Sequence, residues 1–275
     1  MNNSIQSLLA LLVSYPNKRA QLTQQLLTTS DPTIVANQPE WRPKPEAWRL
    51  AAKQKIILNM FNIHCLTCTE FPPSLLRVRP LPPVLFIRGN VAALKKTAIS
   101  IVGARNAQNG PREWAIEMAR YAVAAGFVVA SGGALGVDAA AHCGAIAARG
   151  LTVAYLGVAA DQIYPASNRC LFERILTKNG ALVSEHPPLT NTFASSHALR
   201  NRFIAGCAKH LLIAQAALQS GTLSTANFAR RLNTQIWVPP AAIGGERSGI
   251  NKLLEDGIAK ELKSLEDVFS IATRE

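Results

Sequence analysis

From Thr97 onward short apolar runs alternate with segments of helical period, and this rhythm constrains the fold more than any other feature. The runs are Ala98–Val102, Phe127–Ala130, Leu151–Leu156, Ala181–Ser184, Leu211–Ala214 and Ile236–Val238. Each is apolar nearly throughout, as a strand covered on both faces must be. The segments between them, Arg112–Ala125, Val137–Ala148, Asn168–Leu176, Leu199–Ala208 and Leu223–Leu232, have the length and spacing of crossover helices. Ile250–Leu254 follows the last run as a further helix. The pattern predicts an α/β fold: a Rossmann-like, doubly wound, mostly parallel sheet.

The loops after these strands then share one edge of the sheet, where such folds hold ligands. After the first strand, Gly103 permits close backbone approach and Arg105 adds a cation whose fork matches phosphate. After the second, Ser131, Gly132, Gly133 and Gly136 supply a hydroxyl and a run of N–H groups suited to an anion. Neither loop is GxGxxG, so a dinucleotide site is disfavoured. On the same edge fall Asn168, the triplet Arg200-Asn201-Arg202, and Ser220-Gly221-Thr222 at another helix start. Arg200 and Arg202 are alternate residues and must diverge, so that one can meet a phosphate while the other pairs internally. Asp138 is expected as a cap or dipole partner of its helix and His142 as a packed histidine.

Charge agrees with an anionic ligand. The 275 residues carry 29 Lys and Arg against 17 Asp and Glu, a net +12 that favours a polyanion. The excess is +8 over residues 1–96, +6 over 97–245 and −2 over 246–275. Five cysteines form no even framework and no secretory leader precedes them, the expectation being a cytoplasmic chain. No apolar run reaches the ~18 residues of a membrane span.

Ahead of the alternating part, Ser4–Val13, Arg19–Leu27 and Ala47–Phe61 have helical spacing and are separated by prolines. Residues 1–70 therefore read as a small helical N-terminal region. Residues 71–96 read as a proline-rich connector packed on the core, with a strand at Val84–Ile87. Residues 97–257 form the core, and 258–275 a C-terminal tail with an amphipathic helix over Glu261–Ile271.

Several motifs in order resemble the DNA-processing protein A (DprA/Smf) family: Phe71-Pro72-Pro73-Ser74-Leu75-Leu76, Ile101-Val102-Gly103-Ala104-Arg105, Ser131-Gly132 through Asp138, Tyr164-Pro165, Ser184-Glu185-His186-Pro187-Pro188, Arg200-Asn201-Arg202-Phe203-Ile204-Ala205-Gly206 and Ser220-Gly221-Thr222. The resemblance implies single-stranded DNA binding and protection in natural transformation, a homodimer, loading of a RecA-type recombinase, and no enzymatic activity, cofactor or metal. It implies that Arg105, the Gly132–Gly136 loop, Arg200, Asn201 and Arg202 hold backbone phosphates. Phe193 and His197 are the candidate rings for base stacking. Leu135 stands where the family pattern has an arginine, and His197-Ala198 where it has Phe-Pro. After Gly257 too few residues remain for the winged-helix module that many members carry. The alternative on the same fold is a nucleotide-binding or phosphoribohydrolase-like protein.

Two other patterns are read as structural. Cys65 and Cys68 beside His64 have zinc-like spacing but no second pair nearby, so packed thiols are expected. Ser131 lacks the Gly-x-Ser-x-Gly frame of a hydrolase nucleophile.

Overall fold

A computed structural model of the chain describes residues 2–269. The N-terminal helices are α1 (Asn2–Ser14), α2 (Arg19–Thr29), α3 (Pro32–Asn37) and α4 (Pro45–Met60). They are followed by β1 (Ile63–Thr67), α5 (Pro73–Leu76), β2 (Val84–Gly89) and β3 (Ala98–Val102). The alternating part continues through α6 (Asn109–Ala124), β4 (Val128–Ser131), α7 (Val137–Ala147), β5 (Thr152–Tyr155), α8 (Arg169–Thr177) and β6 (Ala181–Ser184). It ends with α9 (Ala194–Gly206), β7 (Ala208–Ile213), α10 (Gly221–Arg231), β8 (Gln235–Val238), α11 (Ser248–Glu255), β9 (Ala259–Glu261) and α12 (Glu266–Phe269).

Among the described residues the strands form one nine-stranded sheet in the order β1-β2-β6-β5-β4-β3-β7-β8-β9. From β6 to β9 every pairing is parallel, and β2 joins β6 antiparallel with β1 antiparallel to β2. The chain winds from β3 outward to β6 in one direction and from β7 to β9 in the other. Order thus reverses between β3 and β7, and a crevice must open above that point.

Alternation along the strands divides the core. Val128 and Ala130 face one cluster with Phe203, Ile204, Leu211 and Ile213, while Val129 between them faces Trp114, Met118 and Ala141 of α6 and α7. A third group, Leu156, Phe172 and Ile175, seats α8. The first cluster is continuous with Leu8, Leu11, Leu22, Leu26 and Leu58 of the N-terminal helices, so these pack on the sheet without a separate core. Gln54 Nε2 donates to Pro188 O at 2.8 Å and Thr23 Oγ1 to Leu81 O at 3.0 Å across that junction.

The expected strands and helices are present, with ends shifted by a few residues. Two expectations change. The sheet begins at Ile63, inside the stretch read as helical, because Ile63 and Leu66 bury themselves against the sheet while the residues between them stay partly exposed. The helix expected over Glu261–Ile271 is instead β9, added in parallel to β8, and the single turn α12, which buries Val268. Ser270 and Ile271 lie outside the described residues. The connector contributes β2 as a full member of the sheet.

Candidate nucleic-acid interface

Above the reversal between β3 and β7 lies an open cleft of about 470 Å³. Its walls come from the loop after β3 (Gly103, Arg105), the start of α10 (Ser220, Gly221, Thr222) and one side of α9 (His197, Arg200, Asn201). Two recesses continue it, one bordered by Gly132, Leu135, Gly157 and Tyr164, the other by Gln162, Thr192 and Phe193. Arg105 and His197 border all three spaces.

The glycines of the β4 loop let the walls approach. A Cβ on Gly132 would lie 1.5 Å from Arg200 Nη1 and 2.6 Å from Asp138 Oδ2. Gly136 has φ +74°, and a Cβ there would meet Ala104 O at 2.3 Å, so glycine allows the two loops to touch. Val137 N–H then donates to Ala104 O at 3.2 Å and joins them.

Arg200 is 5% exposed, and its Nε has no hydrogen-bond partner among the described residues. Burial, opposed by the Asp138 carboxylate and reinforced by Arg105, pulls its pKa down to about 10, which leaves it a cation at neutral pH. Burial pushes the Asp138 carboxyl upward even though Arg200 pulls the other way. Asp138 Oδ2 also accepts from Ala134 N–H at 3.3 Å, so it serves as expected at the start of α7 and in addition sits beneath Arg200. Arg105 is exposed at the rim. The two guanidiniums, with the N-terminus of α10, make the floor and one lip of the cleft attractive to anions.

Aromatic surface borders the cations. His197 packs on Tyr164 with centroids 4.9 Å apart and a 39° tilt. Burial, then Arg200 and Arg105, lower the His197 pKa, so at neutral pH it presents a neutral ring. Phe193, at the start of α9, is 70% exposed over the outer recess. Tyr164 is the ring that sequence reasoning left out, although the Tyr164-Pro165 pair had already placed it after β5.

The cleft gathers Gly103, Arg105, His197, Arg200, Asn201, Ser220, Gly221 and Thr222, with Gly132 and Phe193 in the recesses. Four expected ligands are spent inside the protein. Arg202 is 1% exposed; its Nη1 and Nη2 donate to Glu185 Oε1 and Oε2 at 2.7 and 2.8 Å, and its Nε to Pro80 O at 3.0 Å. With these donors engaged inside the protein, Arg202 does not line the cleft. Ser131 Oγ donates to Ile101 O at 2.6 Å and braces β4 on β3. Asn168 Nδ2 donates to Gly133 O at 2.9 Å and Ala134 O at 3.1 Å, so it holds the loop from behind. Gly133 is buried against Phe172.

His142, Cys65 and Cys68 are likewise structural. His142 Nδ1 lies 2.7 Å from Thr152 Oγ1, which itself donates to Val129 O, so the ring carries its proton on Nδ1. Burial drives the His142 pKa down to about 3. Burial pushes the Cys65 thiol up to about 12 and that of Cys68 to about 11, away from the thiolate a metal needs. Among the described residues no helix is long and apolar enough to cross a membrane.

Residues 62–273 match the family model for DNA recombination-mediator protein A. The chain belongs to this family. It is 33% identical to Protein Smf of Escherichia coli over 68% of this chain and 50% of that one. It is 31% identical to DNA processing protein DprA of Bacillus subtilis over 80% of this chain and 73% of the relative. The chain thus spans about half the length of the Escherichia coli Smf protein. Among solved structures, it resembles DNA processing protein A of Helicobacter pylori, described for its single-stranded DNA binding mode, with TM-score 0.70 and 27% identity over 78% of this chain and 97% of that one. DprA of Streptococcus pneumoniae shares the fold at TM-score 0.76, with 95% of each chain covered and 23% identity. The family match begins at β1, where the sheet begins, and leaves the N-terminal helices outside it.

Proposed function

We propose that the cleft binds single-stranded DNA, with Arg105 and Arg200 on backbone phosphates and His197, Tyr164 and Phe193 on the bases. The observation that carries this reading is the buried Arg200, whose Nε is unpartnered and whose guanidinium lies over Gly132 at the floor of a cleft with an exposed Arg105 at its rim. Open phosphate-tracking surface beside aromatic rings suits a strand whose bases are unpaired and accessible. The family membership and the single-stranded DNA binding of the Helicobacter pylori relative support the same ligand.

On this reading the chain is a binding protein rather than an enzyme: Ser131 and His142 are both engaged in internal hydrogen bonds. It protects single strands as a homodimer during transformation and passes them to a RecA-type recombinase. Arg105→Ala tests the core of the proposal. It should weaken binding to an oligonucleotide in an anisotropy titration and make its salt dependence shallower by ~0.7 in log–log slope. Unchanged affinity and slope would remove Arg105 from the interface. Oligo-dT and mixed sequences should bind within about an order of magnitude of each other, because stacking accepts any base.

A further inference from the structure

Much of the positive charge of residues 1–96 lies away from the cleft. α4 carries Arg49, Lys53, Ile56 and Met60 at positions i, i+4, i+7 and i+11, one stripe along the helix, and all four are exposed. Arg42 and Lys44, just ahead of the helix, are also exposed. Among the described residues no ion pair engages any of the four cations. The acidic side chains beside them are Glu40 and Glu46, both exposed, so the stretch from Glu40 to Lys53 remains net positive.

Topology sets where this stripe lies. β1 is antiparallel to β2 and β2 to β6, so β1 runs in the same direction as the parallel strands and ends at the cleft edge of the sheet. α4 returns into β1 through only Phe61 and Asn62 and packs against it, so its N-terminal half, with Arg49, points to that same edge. The hydrogen bond from Gln54 to Pro188 O fixes the placement, because Pro188 belongs to the segment that leaves β6 and leads into Phe193 and α9. Arg19 of α2 donates to Glu185 O at 3.3 Å in the same segment. The cationic stripe and the cleft are therefore joined along one edge by residues 185–193. They are separated by five strand steps, about 24 Å at ~4.8 Å each.

We propose that Arg42, Lys44, Arg49 and Lys53 form a second phosphate-contacting surface, over which a single strand leaving the cleft continues across the 185–193 segment. The proposal rests on the cleft being the primary strand site. Four unpaired cations on a rigid helix and its lead-in complement a polyanion, and the apolar end of the stripe, Ile56 and Met60, lies toward the opposite edge. A strand long enough to span both sites gains the extra contacts, whereas a short one does not.

The test compares oligo-dT of roughly 4 and roughly 16 nucleotides, the range of single-strand site sizes. The variant combines Arg42→Ser, Lys44→Ser, Arg49→Gln and Lys53→Gln, with a charge-retaining Lys44→Arg, Lys53→Arg protein as control. The neutralised variant should bind the short oligomer as the parent does, which also verifies its cleft. For the long oligomer it should lose about 1.4 to 2.8 from the log–log salt slope, as two to four phosphate contacts require, while the control keeps it. An unchanged long-oligomer slope overturns the proposal and leaves the face to an acidic protein segment. Arg105→Ala separates the two ideas: if it spares the short oligomer, the placement of Arg105 in the cleft interface fails without touching the second surface.

Discussion

Gly132→Ala probes the floor of the cleft with a single methyl group. Gly132 is not among the residues with positive φ, so the backbone accepts alanine and the effect is steric. The new Cβ would stand 1.5 Å from Arg200 Nη1 and 2.5 Å from its Cζ, where ordinary contact begins at 3.4 Å. The guanidinium must therefore retreat by about 2 Å, and Asp138 Oδ2, 2.6 Å from the same point, blocks one route. Overpacking of this kind costs about 1–3 kcal/mol of stability. If Arg200 meets a phosphate, the displaced charge-assisted hydrogen bond is worth about 1.5–3 kcal/mol. That corresponds to about a 10- to 150-fold loss of affinity. The salt slope should become shallower by ~0.7 as well. Gly126→Ala is the matched control: with φ +85° and no atom within 4 Å it costs about 1–2 kcal/mol through the backbone alone and touches no part of the cleft. Urea melts give the stabilities, and anisotropy titrations at several salt concentrations give affinity and slope. Equal affinities and slopes for the two variants would refute the placement of Arg200 on the strand.

Leu135→Arg puts a cation on the exposed tip of the β4 loop, and the salt slope should steepen by ~0.7; no change would mean that the tip does not face the strand. Phe193→Ala should cost about 1–3 kcal/mol of binding irrespective of sequence, read with oligo-dT and oligo-dC, and full retention of affinity would exclude the ring from stacking. Glu185→Gln leaves Arg202 buried without its anion, and urea denaturation should show a loss of about 3–5 kcal/mol, whereas the affinity of the folded fraction stays at the parental value. Burial holds His142 neutral with a pKa near 3, against an ordinary 6.5. Its contribution to stability is therefore intact above about pH 6.5 and lost progressively as pH falls toward 3. The melting temperature should drop over that window more steeply in the parent than in His142→Gln, and parallel profiles would show that another group controls acid unfolding.

The fold was largely legible because its strands are buried on both faces. Ala181–Ser184 reads as four apolar or small residues and is a strand with those ends. β1 was hidden for the opposite reason: His64-Cys65-Leu66-Thr67 lies at the sheet edge, half exposed, next to a strong helical segment, so its composition carries little strand signal. β9 is three residues long and owes its existence to β8 alongside it. Periodicity registers what a segment buries, and an edge strand buries too little to register. The cleft was legible to the extent that strand ends locate loops, which placed Gly103, Arg105 and Ser220–Thr222 on one edge. Ser131 and Asn168 fall on that edge too, yet their side chains turn inward to carbonyl groups, an orientation that no local pattern encodes.

Arg200 and Arg202 show where such reading ends and what replaces it. Two residues apart on α9 they point about 200° apart around the axis, so at most one can face the cleft. The choice is made by acids far away in sequence. Glu185 leaves the end of β6 and meets Arg202 in bidentate geometry, with Arg19 adding a second cation 3.8 Å from Oε2. Burial alone would raise the Glu185 carboxyl, but Arg202 and then His186 and Arg19 hold it below its ordinary value. Asp138, the second residue of a different helix, lies instead under Arg200, yet it leaves Nε free and the guanidinium beside the cleft. One arginine is thus spent tying α9 to the end of β6 and to Pro80 of the connector, and the other is kept as a buried cation with capacity to spare. A substitution that weakens the Arg202 pair should lower stability and leave Arg200, beside Asp138, in its place in the folded molecule. Glu185→Gln therefore distinguishes the roles: stability falls, while the molecules that stay folded bind with the parental affinity.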